Sequence, residues 1–199
     1  LDLNGHEATL NSLIVEESLT VTNGTLTTAL WGHGASGTLT VDGATINTVP
    51  NPTDYMDGHK TFKWKGNIEL ANNGVLEVQD SAYFGGDEGF TLSIDNTSSM
   101  NLNNAIIAIP DMDADTATTL NQIRQYLPDG YTVNASENYN WDADGYLLEF
   151  SPDANVTLSF QQPITYTAEP VTTCFNQWDE GEFVVTASDV VEGSYVMTF

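Results

Sequence analysis

A short unit that recurs through the first half of this chain limits its fold more than any other feature. The unit is a glycine followed by aliphatic residues two and four positions later, and clear copies occupy residues 37–41, 66–70 and 74–78. In an extended strand, successive side chains point to opposite faces, so this alternation turns one face inward and the other to water. Repetition at short intervals predicts stacked strands, and the unit carries packing residues but no reactive ones.

The inward face is predicted from the aliphatic positions of the unit and of its looser copies. Asn-Gly and Asp-Gly pairs between these positions predict corners, because Gly and Asn adopt the left-handed backbone conformation at low cost. The predicted corner pairs are Asn4-Gly5, Asn23-Gly24, Asp42-Gly43 and Asn73-Gly74. The predicted inward residues are Leu13, Leu19, Leu26, Leu39, Ile46, Ile68, Leu76, Leu92, Leu102 and Ile107.

The pattern divides the chain into three predicted regions. Residues 1–110 hold the repeats and are predicted to form a β-solenoid. Residues 111–150 are predicted to form a cap, with a helix over 116–127 followed by a hairpin, because the last coil of a solenoid otherwise leaves backbone groups unpaired. Residues 151–199 are predicted to be a C-terminal β-strand region. The alternative is a flat β-sandwich, since the same alternation with Asn-Gly turns also forms antiparallel hairpins.

The charge of the chain excludes several classes of partner. Only 4 basic residues accompany 28 acidic ones, which gives a formal net charge of -24. A surface this acidic repels nucleic acids and anionic membranes, so we expect no nucleic-acid binding. No hydrophobic run approaches the length of a membrane span. The single cysteine, Cys174, excludes an internal disulfide and is predicted to be buried.

Two stretches resemble known proteins. Residues 1–6, LDLNGH, are similar to the strand and turn that begin right-handed parallel β-helix regions of secreted bacterial surface and adhesin-like proteins. Residues 123–131, IRQYLPDGY, followed by DADGY at 142–146, resemble the ending of such regions. The resemblance implies an all-β fold: a short right-handed parallel β-helix with a capping helix and a C-terminal group of β-strands. It implies fold more strongly than function, because that group also includes pectate-lyase-like enzymes.

Two acidic stretches form a hypothetical Ca2+ site. Carboxylate and amide oxygens at alternate positions are typical of calcium loops, although Ser151 stands where an EF-hand loop has its bidentate glutamate. The alternative interpretations are helix capping for the first stretch and an Asp-Gly hairpin turn for the second. The candidate ligands are Asp111, Asp113, Asp115, Asn140, Asp142 and Asp144.

Aromatic residues near the predicted long loops suggest a second kind of site. Exposed aromatic rings stack on sugar rings, so Trp31, Tyr55, Trp64 and Tyr83 are candidates for glycan binding. The alternative is that these loops fold back and bury their aromatic side chains against the flank of the solenoid.

Catalytic signatures are weak by comparison. A pectate-lyase-like site would need aspartates holding calcium and a basic residue on one face of the repeats. Here Arg124 lies on the predicted helix, and Lys60, Lys63 and Lys65 lie in one loop. The histidines lack zinc-site spacing, and no Ser-His-Asp signature or phosphate loop is present. We therefore expect no enzymatic activity.

These observations predict a non-enzymatic extracellular or cell-surface protein, either an adhesin-like module or a self-assembling fibre subunit. The predicted terminal strands, 1–3 and 196–199, can pair with a neighbouring subunit, so self-association is one expected interaction. A host-surface or glycan ligand is the other. The alternative functions are a carbohydrate-binding module that uses the loop aromatics and a polysaccharide-degrading β-helix enzyme.

Overall fold

The described part of the chain is almost entirely β-structure, which confirms the all-β prediction. A computed structural model describes residues 1–32, 37–50, 61–85, 90–110, 116–138 and 145–162, with short strands at 166–167 and 186–187. The chain divides into two compact units, Leu1–Gln161 and Gln162–Phe199. The first unit contains β1 Asp2–Val15, β2 Leu19–Gly32, β3 Thr38–Thr48, β4 Phe62–Trp64, β5 Asn67–Ala71, β6 Val75–Phe84, β7 Leu92–Ile94, β8 Ser99–Pro110, α1 Thr116–Arg124, β9 Thr132–Asn138, β10 Gly145–Ser151 and β11 Asn155–Ser159.

Four parallel strands close into a ring, which we call the parallel barrel. Strand β2 pairs with β3 and β4, and β6 also pairs with both β3 and β4. Further parallel strands extend this ring: β1 pairs with β2, β5 with β3, β7 with β5, and β8 with β6. Three antiparallel pairings complete the sheet, in which β10 pairs with β8 and β9, and β11 pairs with β8.

The resemblance to right-handed parallel β-helix regions is wrong for this chain. It implies coils of short strands separated by corners, whereas β1 and β2 each run for 14 residues and the pairings of β2, β3, β4 and β6 close into a ring. The LDLNGH motif lies inside this pattern, because its Asn4-Gly5 turn does not end β1 but only shifts the register of its pairing with β2, between Asp2 and His6. Such a turn is a local signal that many β-proteins use, so the motif does not specify one topology.

The core consists of inward side chains that neighbouring strands place side by side. Because the parallel strands are in register, each inward residue meets its counterpart on the next strand. These side chains are fully buried, and each contributes about 1.5–3 kcal/mol through removal from water. One column contains Leu26, Ile46, Leu76 and Met100, and a second contains Leu30, Phe62, Ala82 and Ile107.

The predicted corners have the backbone conformation that the prediction required. Asn4, Asn23 and Asn73 have φ angles of 50°, 54° and 65°, and Gly43 has a φ of 61°. These are left-handed conformations that Asn and Gly tolerate best. Asn4, Asn23 and Gly43 lie within β1, β2 and β3 and bend these strands without ending them, whereas Asn73 lies between β5 and β6.

The glycines of the repeat allow the backbones of neighbouring segments to approach each other closely. A Cβ atom on Gly66 would lie 2.0 Å from the carbonyl oxygen of Gly37, and one on Gly74 would lie 2.1 Å from that of Val41. A Cβ atom on Gly37 would likewise collide with the backbone of Glu17. The three glycines recur because neighbouring layers touch at these points and leave no room for a side chain.

One corner is held by a carboxylate that accepts several hydrogen bonds. Asp95 accepts bonds from the backbone N–H of Asn72 at 2.7 Å and from the backbone and hydroxyl of Thr97, both at 2.9 Å. Burial alone raises the pKa of Asp95, but the bonds from Ser98, Asn72 and Thr97 outweigh burial and lower the pKa well below its usual range. The ionised form of Asp95 therefore stabilises this corner.

We expect Asp95→Asn to lower the melting temperature at pH 7. Because the folded-state pKa is depressed, the ionised Asp95 contributes stability above its unfolded pKa of about 3.9, and this contribution is lost as the pH falls through the folded-state value. The difference between wild type and variant should therefore shrink below pH ~4. Circular-dichroism melts between pH 7 and pH 2 measure it, with the exposed Asp129→Asn as control. A difference that stays constant with pH would contradict this role.

The end of the barrel opposite β1 is covered. The predicted helix is present as α1, and its apolar residues Leu120 and Ile123, together with Leu127 just beyond it, are buried in the main core. The side chain of Gln122 accepts a hydrogen bond of 3.2 Å from the backbone N–H of Leu92 in β7. That bond satisfies a donor on the edge of a strand that pairs only with β5 among the described residues.

The second unit is described only in part. Its β12, Tyr166–Thr167, pairs antiparallel with β13, Thr186–Ala187. Both strands lie within residues 151–199, which were predicted to be a β-strand region. The division into regions 1–110, 111–150 and 151–199 stays a prediction.

Candidate functional site

The end of the barrel formed by β1 is open in the described part of the chain. Its inward residues Ala8 and Leu13 are only half-buried, whereas Leu26 and Leu30, their neighbours on β2, are fully buried. Leu1, beside the buried Val21 of β2, is 54% exposed. A core layer that is covered on one side only has apolar surface left for another layer.

The outer edge of β1 offers backbone groups to a further strand. Among the described residues β1 pairs only with β2, along most of its 14 residues. Proteins commonly protect such an edge with proline, lysine or a bulge. This strand contains no proline or lysine, but its pairing with β2 has two irregularities, one between Asp2 and His6 and one where Leu10 and Asn11 lie opposite Thr28. Regular pairing covers residues 6–9 and 12–15. The remaining edge is a template for strand addition.

Apolar and acidic side chains flank this edge. Ile14 on the outward face is 53% exposed, and Leu10 is exposed beside it. The acidic residues Asp2, Glu7, Glu16 and Glu17 are all exposed. Residues 1–59 contain neither lysine nor arginine, so β1 and β2 carry no lysine or arginine side chain.

Hydrogen bonds hold Asp2 ionised at the start of β1. Its Oδ1 atom accepts bonds from the backbone N–H of Asn4 at 2.9 Å and from the Nδ2 amide of Asn23 at 3.2 Å. These two bonds lower the pKa of Asp2, because they favour the charged carboxylate. The open end therefore carries a fixed negative charge at physiological pH.

The aromatic residues predicted to bind glycans separate into two groups. The register aligns Trp31 of β2, Lys63 of β4 and Tyr83 of β6 in one row, with Trp31 half-buried and Tyr83 buried. Trp64 is buried in the core, where its ring lies against Gly32 and its Nε1 donates to the Asn67 carbonyl oxygen at 3.0 Å. Tyr55 lies outside the described residues. Glycan binding stays a prediction, with Trp31 its most exposed described residue.

The proposed calcium ligands cannot be placed. Asp111, Asp113, Asp115, Asn140, Asp142 and Asp144 all lie outside the described residues. Within the residues that are described, no group of three or more His, Cys, Asp or Glu side chains could hold a metal ion. The Ca2+ site stays a prediction.

Buried hydroxyl groups inside the barrel have structural partners. Thr48 donates to the carbonyl oxygen of Glu77 at 3.0 Å and accepts from the backbone N–H of Gln79 at 3.2 Å. Thr61 donates to the carbonyl oxygens of Gln79 and Ser81. These threonines satisfy backbone groups where the strands bend, as buried polar groups must, and neither is paired with a base that could activate it.

A surface cleft of about 390 Å³ lies between the end of α1 and the start of β9. Arg124 lines it and donates to the Val133 carbonyl oxygen at 3.2 Å and to Asn121 Oδ1 at 3.3 Å, which fastens the helix to β9. The only carboxylate in the lining is Asp129, and no serine, cysteine or histidine lines the cleft. The lining therefore offers no pair of carboxylates for glycoside cleavage.

Comparisons with known proteins add no assignment. No protein-family model, curated protein or solved structure matches this chain. In the described residues, no helix is both long and apolar enough to cross a membrane. The outer edge of β1 is the candidate site that these observations favour. The sequence predicted only a short unpaired strand at residues 1–3, whereas the edge runs along β1.

Proposed function

We propose that this chain is a non-enzymatic extracellular surface protein that acts by strand addition at the outer edge of β1, as an adhesin-like module or a fibre subunit. The observation that supports the proposal is the contrast between the two ends of the barrel. Helix α1 covers one end, whereas the inward residues of β1 are half-buried or exposed at the other. Within the described residues, the edge of β1 is therefore the place that best fits an added strand.

Strand addition uses the two features that β1 offers together. An added strand hydrogen-bonds to the unpaired backbone groups of the edge, and its alternate side chains cover the apolar layer beneath. Covering Leu1, Ala8 and Leu13 removes apolar surface from water, which contributes about 25 cal/mol per Å². Specificity then depends on which side chains the added strand presents.

The remaining features of the molecule support a binding role over a catalytic one. The repeats contribute packing residues, the buried threonines bond to backbone groups, and the described cleft lacks a pair of carboxylates. The acidic surface and the single cysteine are compatible with an exported protein, as are the sequons at Asn23, Asn96, Asn134 and Asn155.

The substitution Ile14→Gln tests this proposal. It replaces an apolar side chain that is 53% exposed by a neutral polar one, so the fold should be retained while an added strand loses apolar contact at the edge. We expect Ile14→Gln to reduce attachment of the purified protein to intact cells, or its self-assembly, by about tenfold or more, which corresponds to ~1.4 kcal/mol. Flow cytometry measures attachment, and light scattering with negative-stain electron microscopy measures assembly.

The matched control is Ile106→Gln on β8. Ile106 is 57% exposed, so this variant makes the same chemical change away from β1. It should behave like wild type in both assays. Equal losses in the two variants, or neither attachment nor assembly by wild type, would overturn the proposal.

A further inference from the structure

We infer that the strand added at β1 is a basic, extended segment of another protein with apolar side chains at alternate positions, rather than a second copy of this chain. This inference rests on the proposed function and names its partner. The charge on this end of the barrel and the alternation of side chains along β1 support it.

Charge complementarity selects the partner. Side chains directly opposite on neighbouring strands lie about 4.5–5.5 Å apart, and like charges at that distance destabilise the pair. A second copy would bring the same exposed acids, Asp2, Glu7, Glu16 and Glu17, to the interface, with no lysine or arginine within residues 1–59 to oppose them. It would also join two chains that each carry a formal charge of -24. A strand that carries lysine or arginine avoids both the like-charge pairs at the interface and the repulsion between two acidic chains.

The alternation along β1 specifies the pattern of that strand. Ala8 faces inward beside the buried Leu26, and Glu7 faces outward beside Thr25. Asp2 likewise faces outward beside Thr22, next to the inward Leu1. A strand laid along β1 therefore meets apolar surface on one face, and on the other it meets the carboxylates of Asp2 and Glu7 together with the exposed Ile14. The complementary segment alternates apolar and basic side chains with a period of two.

Hydrogen bonds hold the carboxylate of Asp2 in a fixed position at the start of β1. Its Oδ1 atom is held by the N–H groups of Asn4 and Asn23 at 2.9 and 3.2 Å, so the carboxylate does not need to be ordered when a cation approaches. Asn23 belongs to β2, which fixes the carboxylate to the neighbouring strand as well.

A labelled nine-residue peptide that alternates lysine with valine and threonine tests the inference by fluorescence anisotropy. Two control peptides have the same length: one groups the lysines at one end, and one replaces lysine with glutamate. We expect the alternating peptide to bind at least about tenfold more tightly than either control, with an affinity that falls as salt is added. Hydrogen exchange should show new protection in β1.

Two protein variants with equal charge locate the binding. Glu7→Gln, Glu16→Gln and Glu17→Gln together should weaken binding of the alternating peptide by about tenfold. The control triple variant, Glu69→Gln, Asp80→Asn and Asp129→Asn, removes three exposed acids elsewhere and should leave binding unchanged. Equal weakening in the two variants, or equal binding of the grouped-lysine peptide, would show general attraction to an acidic protein and overturn the inference.

The remaining outcomes separate this inference from the proposed function. Self-association that Ile14→Gln abolishes would identify a second copy as the occupant, so the inference would fail and the proposed function would stand. Cell attachment that depends on Ile14, without binding of the alternating peptide, would have the same consequence. No binding, no attachment and no self-association would overturn both.

Discussion

Replacing Phe62 by alanine is expected to lower the free energy of unfolding of the Leu1–Gln161 unit by about 3–5 kcal/mol. Phe62 is completely buried, with Leu30 of β2 on one side and Ala82 of β6 on the other. Its β4 also bridges β2 and β6, so the ring depends on this short strand. Alanine would leave a cavity at the centre of the column, and the surrounding strands can relax into it only in part.

Urea denaturation followed by intrinsic fluorescence measures this loss, and Phe160→Ala is the matched control. Phe160 is 45% exposed, so the same chemical change should cost much less there. A domain of this size loses about 2–4 °C in melting temperature per kcal/mol, so Phe62→Ala should melt roughly 6–20 °C below wild type. Similar losses in the two variants would mean that Phe62 does not occupy the core position described here.

Gly66→Ala is expected to destabilise the same unit by about 3 kcal/mol, although alanine usually favours folding where the backbone permits it. Gly66 does not have a left-handed φ angle, so conformational entropy alone would make alanine stabilising by about 0.4–1 kcal/mol. Its Cβ atom, however, would lie 2.0 Å from the Gly37 carbonyl oxygen and 3.0 Å from the Gly37 backbone nitrogen. Backbone atoms cannot move aside as a side chain can, so neighbouring layers would have to separate.

The sign of the change in unfolding free energy decides between these two effects. Gly130→Ala is the control, because nothing lies within 4 Å of its Cβ position and the cost there is only that of a φ of 81°, about 1–2 kcal/mol. Chemical denaturation of the three proteins under one condition gives the comparison. A Gly66→Ala variant as stable as wild type would contradict the close approach of residues 37 and 66.

Several core positions could be predicted from alternation alone, because period-two burial is a local property of a strand. Eight of the ten predicted inward residues are fully or almost fully buried, and the exceptions, Leu13 and Leu19, are half-buried in the first layers of the barrel. Strict alternation would also have placed Trp64 inward, two residues after Phe62, instead of among the glycan-binding candidates. The aromatic character of Trp64 suggested a binding role, whereas its position in the strand indicates a core role.

The open end could be anticipated only in outline. Residues 1–3 were predicted as an unpaired terminal strand, but Leu10 and Ile14 have the same residue types as aliphatic residues that are buried elsewhere. Their exposure depends on whether another layer lies beyond β1, and no local pattern records how many neighbours a strand has. The acidic character of this end was visible earlier, because residues 1–59 contain no lysine or arginine.

The sequence by itself determined the β-rich class, the alternating burial, the left-handed corners at Asn4, Asn23, Gly43 and Asn73, and the acidic surface. Each of these depends on a residue and its near neighbours in the chain. Only the tertiary structure decided that β2, β3, β4 and β6 close into a ring, and that α1 covers one end while β1, at the other, pairs with β2 alone among the described residues. Pairing joins residues 20 or more positions apart, and a period-two pattern fits many pairings equally well, so the choice among them belongs to the packing of the whole unit.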